Sequence, residues 1–79
     1  MSKLTDLQSH LSSIIWDLRR KKGWSQSEVA RKLKTSPGHI WRLEDRHQCK
    51  PTITTLVKIA KLYKKDVSIM FIDSNIKNL

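Results

Sequence analysis

Acidic residues are scarce in this chain of 79: seven Asp and Glu stand against sixteen Lys and Arg, leaving a formal net charge of +9. So strong a bias points to a polyanionic partner. A single cysteine, Cys49, excludes an internal disulfide. With no His/Cys group at ligand spacing, structural zinc is excluded too, and the expectation is a reduced, metal-free, cytoplasmic protein. Only two glycines are present, too few for a phosphate-cradling loop, and no nucleophile has a base at workable spacing. Neither an enzyme nor a cofactor-dependent protein is expected. Long apolar runs are missing: the longest, Val67 to Ile72, is broken by Ser68 and falls far short of the roughly 20 residues a span requires. The segment from Met1 to Asp6 carries an acid where a secretory apolar region would begin, so neither export nor membrane insertion is expected.

What is present is helical punctuation. No alternating run suggests a strand, and 38% hydrophobic content supports one small globular domain, predicted over residues 1–72 with a tail over 73–79. Leu7, Leu11, Ile14, Ile15 and Leu18 recur on one helical face, and Trp16 falls at the core or its rim. Thr5 with Gln8 reads as a capping box and Gly23 as a left-handed stop, which predicts a first helix over about 6–22. Ser25 with Glu28 is a second capping box, and Trp24 with Val29 fits a hydrophobic staple, so a helix should run from Gln26 to Leu33. Ser36 before Pro37 is an N-cap followed by proline at the first helical position, opening a third helix that carries Ile40 and Leu43 inward. Only Lys34 and Thr35 separate the second helix from that cap, the short turn of a helix-turn-helix over 26–45. Pro51 and Thr52 open a fourth helix with Ile53, Leu56, Val57, Ile59, Ala60 and Tyr63 as its apolar side, and Asp66 caps a final short turn, Val67 to Phe71.

Gln26, Val29, Ala30, Leu33, Ile40 and Leu43 have the spacing of a helix-turn-helix core, with small Ala30 where the two helices approach most closely. From Leu18 to Phe71 the chain resembles the phage Cro/cI-type, or XRE-type, repressor domain through LRRKKGWSQSEVARKL, HIWRLEDR and KPTITTLVKIAKLY. The resemblance implies an all-α, five-helix bundle of the lambda-repressor-like type. It also implies double-stranded DNA as the partner and association with the nucleoid when bound.

The resemblance further assigns roles by position. The helix from Pro37 would enter the major groove, with base contacts from Pro37, Gly38 and Arg42. Pro37 and Gly38 have no side-chain donor, whereas Arg42 can give two bonds to guanine, a contact worth about 1 to 3 kcal/mol of discrimination. Trp41 would pack on sugar or a thymine methyl, or cover the edge of the fourth helix. Gln26 and Ser25, at a helix N-terminus, would clamp a phosphate, and His39, Arg46, His47 and Lys50 would add backbone contacts. Arg19 and Glu44 match the family's interhelical pair, which would orient the groove reader. Lys34 replaces the family's turn glycine and costs of order 1 kcal/mol if left-handed. Two further basic groups, Arg19 to Lys22 and Lys58 to Lys65, suit either the helix dipole or a solvated face.

A domain this small gains specificity by pairing on an inverted repeat, with reading helices about 34 Å apart. The apolar surplus at Val67, Ile69, Met70, Phe71 and Ile72, extended by Ile76 and Leu79, predicts a homodimer contact there. The expectation is a transcriptional regulator, most simply a repressor. Two alternatives are an antitoxin that binds a toxin protein and autoregulates, and a helix-turn-helix fold used for protein interaction.

Overall fold

The computed structural model describes residues 3–71. Four α-helices follow one another, α1 (Lys3–Lys22), α2 (Gln26–Leu33), α3 (Pro37–Glu44) and α4 (Ile53–Leu62), and a 3-10 turn, Val67–Phe71, closes the order. No strand occurs among the described residues. The fifth helix expected from the sequence is therefore a 3-10 turn: five residues cannot build an α-ladder of useful length, and Asp66 Oδ1 instead accepts the Ser68 N–H at 2.8 Å. The first helix also begins earlier than expected, its backbone running through Thr5 from Lys3.

Local chemistry sets the remaining boundaries. Ser25 Oγ accepts the Glu28 N–H at 3.1 Å while Glu28 Oε1 accepts the Ser25 N–H at 2.9 Å, so two otherwise unpaired donors at the start of α2 are satisfied reciprocally. Ser36 Oγ accepts the His39 N–H at the start of α3, and Thr52 Oγ1 accepts the Thr55 N–H at the start of α4. Three helices end in the same device. Trp24 N–H reaches the Arg19 carbonyl, Thr35 N–H the Ala30 carbonyl and Lys65 N–H the Ala60 carbonyl, each over a left-handed residue: Gly23, Lys34 and Lys64. Lys34 and Lys64 adopt φ values of 59° and 57°, a conformation that glycine enters without steric cost and lysine does not.

The core gathers one stripe from each helix. Leu11 and Ile15 of α1, Val29 and Ala30 of α2, Ile40 and Leu43 of α3, and Leu56, Ile59 and Ala60 of α4 close around Tyr63, Cys49 and Met70. α2 packs on α3 and α4, and α1 on α3 and the 3-10 turn. Trp24 stacks on Tyr63 with centroids 5.6 Å apart, and the Lys32 ammonium lies over its ring at 4.7 Å.

Periodicity misplaces two residues. Ile53 is 70% exposed because it occupies the first position of α4, on the turn that points away from the bundle, and Leu7 is exposed near the open end of α1. Trp16 takes the rim rather than the core of the two places its spacing allowed, 41% exposed, with the Arg20 guanidinium over its ring at 4.6 Å.

Candidate nucleic-acid interface

α3 divides its residues between two faces. Ile40 and Leu43 are buried, while Pro37, Gly38, Trp41 and Arg42 are exposed together on the outer side. Proline at the first helical position forfeits an N–H that would have had no intrahelical partner, and its fixed φ pre-forms the turn. The Arg42 guanidinium lies back along the helix: a Cβ built on Gly38 would stand 3.9 Å from Arg42 Nη1, an ordinary van der Waals contact that an alanine would also allow. Arg42 is thereby drawn toward the N-terminal end of α3.

The orientation of α3 is held by an ion pair. Arg19 Nε donates to Glu44 Oε2 at 2.6 Å and Arg19 Nη2 to Glu44 Oε1 at 2.9 Å, a bidentate bridge from the end of α1 to the end of α3. Arg19 Nη1 also donates to the Trp24 carbonyl at 2.9 Å, which ties the α1–α2 connection into the same cluster. The side chains are only 14% and 5% exposed. Chiefly through its hydrogen bonds to Glu44, Arg19 is held above even the usual guanidinium range.

Gln26 joins this cluster, its Nε2 donating to Glu44 Oε1 at 3.1 Å. One amide hydrogen is thus spent on positioning, and Ser25 beside it spends its hydroxyl and backbone N–H on the capping box. His39 is half-buried, with Nδ1 at 2.8 Å from Thr35 Oγ1 across the turn between α2 and α3.

Trp41 is 51% exposed. It shares a shallow hollow with Trp16, Gln26, Glu44 and Asp45, on the side where α1 meets α3. α3 turns Trp41 to the flank opposite the stripe that Ile40 and Leu43 send inward.

The loop after α3 is organised by Asp45, a residue that the sequence reading passed over. Its Oδ1 accepts the His47 N–H at 2.8 Å and its Oδ2 accepts from Gln48 Nε2 at 3.2 Å, a local turn that leaves Arg46, His47 and Lys50 exposed. Cys49 anchors the loop from inside, only 1% exposed, and its thiol is pushed up to about 11 by loss of solvent. An Asp followed two residues later by a chain reversal is the signal that could have identified this turn.

At the C-terminal end, Met70 is wholly enclosed in the protomer's own core and has no surface to offer a second copy. It fills the gap between α1 and α4 beneath the 3-10 turn. Val67 and Ile69 are half-buried against the same core, Phe71 is exposed, and Ile72, Ile76 and Leu79 lie outside the described residues.

These features define an all-α helix-turn-helix domain whose short third helix is clamped at its C-terminal end and open along its outer face. Residues 17–69 match the Helix-turn-helix family model of the Cro/cI (XRE) type, and the chain belongs to that family. No curated protein and no solved structure matches the chain. The family is one of DNA-binding transcription regulators. Among the described residues, no helix is long and apolar enough to cross a membrane, and no group of His, Cys, Asp and Glu has metal-site geometry.

Proposed function

We propose that this protein is a sequence-specific double-stranded DNA-binding regulator that reads an inverted-repeat operator as a homodimer and represses transcription by occupying a promoter. The observation that carries the reading is the outer face of α3, where Arg42 extends over Gly38 while Glu44, two residues further on, is fixed to α1. In this arrangement Arg42 supplies the base contact and Pro37 and Gly38 admit close approach of the backbone. Trp41 contacts sugar at the groove edge. Gln26, with an amide hydrogen left over, holds a phosphate beside Ser25, and His39, Arg46, His47 and Lys50 flank it on the backbone. The net charge of +9 supplies salt-dependent affinity but no specificity. Val67, Ile69 and Phe71 form the pairing surface, together with Ile72. The protein works in the cytoplasm, on the nucleoid.

Selection of bound duplexes from a randomised pool at about 0.15 M salt tests this reading, because exposed charges are then screened beyond roughly 8 Å. The expected product is an inverted repeat with half-sites one helical turn apart and a guanine preference that Arg42→Ala abolishes. Recovery of no enriched sequence would overturn the proposal and favour the protein-interaction reading, which the donor-free side chains of Pro37 and Gly38 would then explain.

A further inference from the structure

The charge of this domain is not confined to the face that α3 presents. Where the end of α2 meets α4, one open trough is lined by Lys32, Leu33, Lys34, Lys58, Lys61 and Leu62. None of these is Pro37, Gly38 or Arg42, and the trough continues past Lys34 and Lys58 into the hollow beneath the α2–α3 turn. Its lining carries four ammonium groups and no carboxylate.

Two further observations set it apart from an ordinary solvated helix face. No acidic residue occurs between Asp45 and Asp66, so the lysines of α4 have no carboxylate on their own helix to pair with. The floor between the lysines is apolar: Leu33 and Leu62 pack inward against the core and remain half-exposed in the trough. Lys34 reaches this rim from a left-handed backbone, φ 59°, at a turn that glycine would close without strain. The position therefore keeps an ammonium where backbone energetics favour no side chain at all.

We propose that this trough is a docking surface for an acidic, amphipathic segment of a partner protein, with carboxylates on Lys32, Lys34, Lys58 and Lys61 and apolar side chains on Leu33 and Leu62. Charge complementarity calls for an acidic occupant, and the leucine floor selects a peptide over a duplex, whose phosphate backbone has nothing to bury there. Residues 72–79, with one Asp and one Lys, lack the acidic density to fill it.

The test uses the full chain and two synthetic peptides of equal length and charge, one with leucines at helical i, i+3, i+7 spacing among glutamates and one with serines in their place. Titration at about 0.15 M salt by fluorescence anisotropy, with methyl NMR on the protein, gives affinity and location together. The leucine peptide should bind at least about tenfold more tightly than the serine peptide, a difference that two buried leucines can supply. It should shift the Leu33 and Leu62 methyl signals, and Lys58→Glu/Lys61→Glu should lose it while melting at an unchanged temperature. Equal binding of the two peptides would reduce the trough to a general counterion surface and overturn the proposal. So would a random duplex that shifts the same methyl groups and displaces the peptide, which would assign these lysines to nucleic acid.

Discussion

Removal of the Glu44 carboxylate should cost this domain a large part of its stability. Glu44→Ala deletes the acceptor for Arg19 Nε, Arg19 Nη2 and Gln26 Nε2, and leaves the guanidinium with the Trp24 carbonyl alone. Two charge-assisted bonds at about 1.5 to 3 kcal/mol each set an upper bound near 6 kcal/mol. Loss of one partner from a buried ion pair typically costs about 3 to 5 kcal/mol, because the other charge stays behind unpaired. Arg19 is 14% exposed and can turn partly toward water, which places the loss at the lower end of that range, about 3 kcal/mol. A chain of this length is stable by about 4 to 12 kcal/mol, so a quarter to three quarters of the total is at stake. Urea unfolding followed by circular dichroism should show a lower midpoint at constant slope, and thermal melting a fall of about 12 to 24 °C. Arg19→Met/Glu44→Leu should recover most of the loss, since an apolar pair strands no charge. A loss below about 1 kcal/mol, the range of solvent-screened surface pairs, or a double variant as unstable as the two single losses added together, would refute the reasoning.

Lys34→Gly and Lys64→Gly should each raise stability by about 1 kcal/mol, because both positions are left-handed, and a fall in melting temperature for either would contradict the assignment of strain. Below about pH 5 the domain should weaken. The Ser25 and Ser68 backbone N–H groups hold Glu28 and Asp66 below the usual carboxylate range, so their contribution is present above the unfolded pKa near 4 and is lost as pH falls through the lowered folded values. Glu28→Gln/Asp66→Asn should flatten melting temperature against pH between about 5 and 3, and an unchanged slope would sink the argument. The Cys49 thiol, with its pKa pushed up to about 11, should resist iodoacetamide at pH 8 in the folded protein and react only at the rate of unfolding. Its sign is the reverse of the carboxylates: stability is intact below the ordinary thiol pKa of about 8.5 and falls as pH rises toward 11.

Much of the fold is legible in residues that punctuate rather than pack. The Ser25–Glu28 box, Ser36 before Pro37, Thr52 and Asp66 mark element starts because each satisfies a specific backbone donor, and that chemistry is local. Apolar spacing is less exact at the ends of helices: Leu7 and Ile53 have the periodicity of core residues but remain 39% and 70% exposed. Composition cannot say which way a 3-10 turn faces. Val67 to Phe71 looks like surplus apolar surface until Met70 is seen to fill the core. The candidate site is readable in part for a similar reason. Arg19 and Glu44 are 25 positions apart and no periodicity links them, so only the family resemblance singles them out together. That Gln26 spends an amide hydrogen on Glu44, and that Arg42 lies back toward Gly38, are facts of packing with no signature in spacing.

α3 has eight residues, too few for a helix to persist alone in water, so its conformation and aim are set by what it is fastened to. Ile40 and Leu43 fasten it to the core and Glu44 fastens it to α1, which leaves the N-terminal turn free on its outer side. On the proposed reading, that turn meets DNA with only one strong hydrogen-bonding side chain, Arg42. One such contact discriminates by about 1 to 3 kcal/mol, whereas useful selection against non-specific duplex needs about 4 to 10 kcal/mol. A single domain falls short of that, and two copies on an inverted repeat double the base contacts without changing the reading helix. On the same reading, the sparse outer face of α3 would make pairing through Val67, Ile69 and Phe71 matter more than in a domain with three reading side chains. A variant that breaks the pair, such as Phe71→Asp, should therefore lose sequence preference before it loses salt-dependent affinity. The charges that hold the phosphates are spread over each protomer, whereas the discrimination is divided between two.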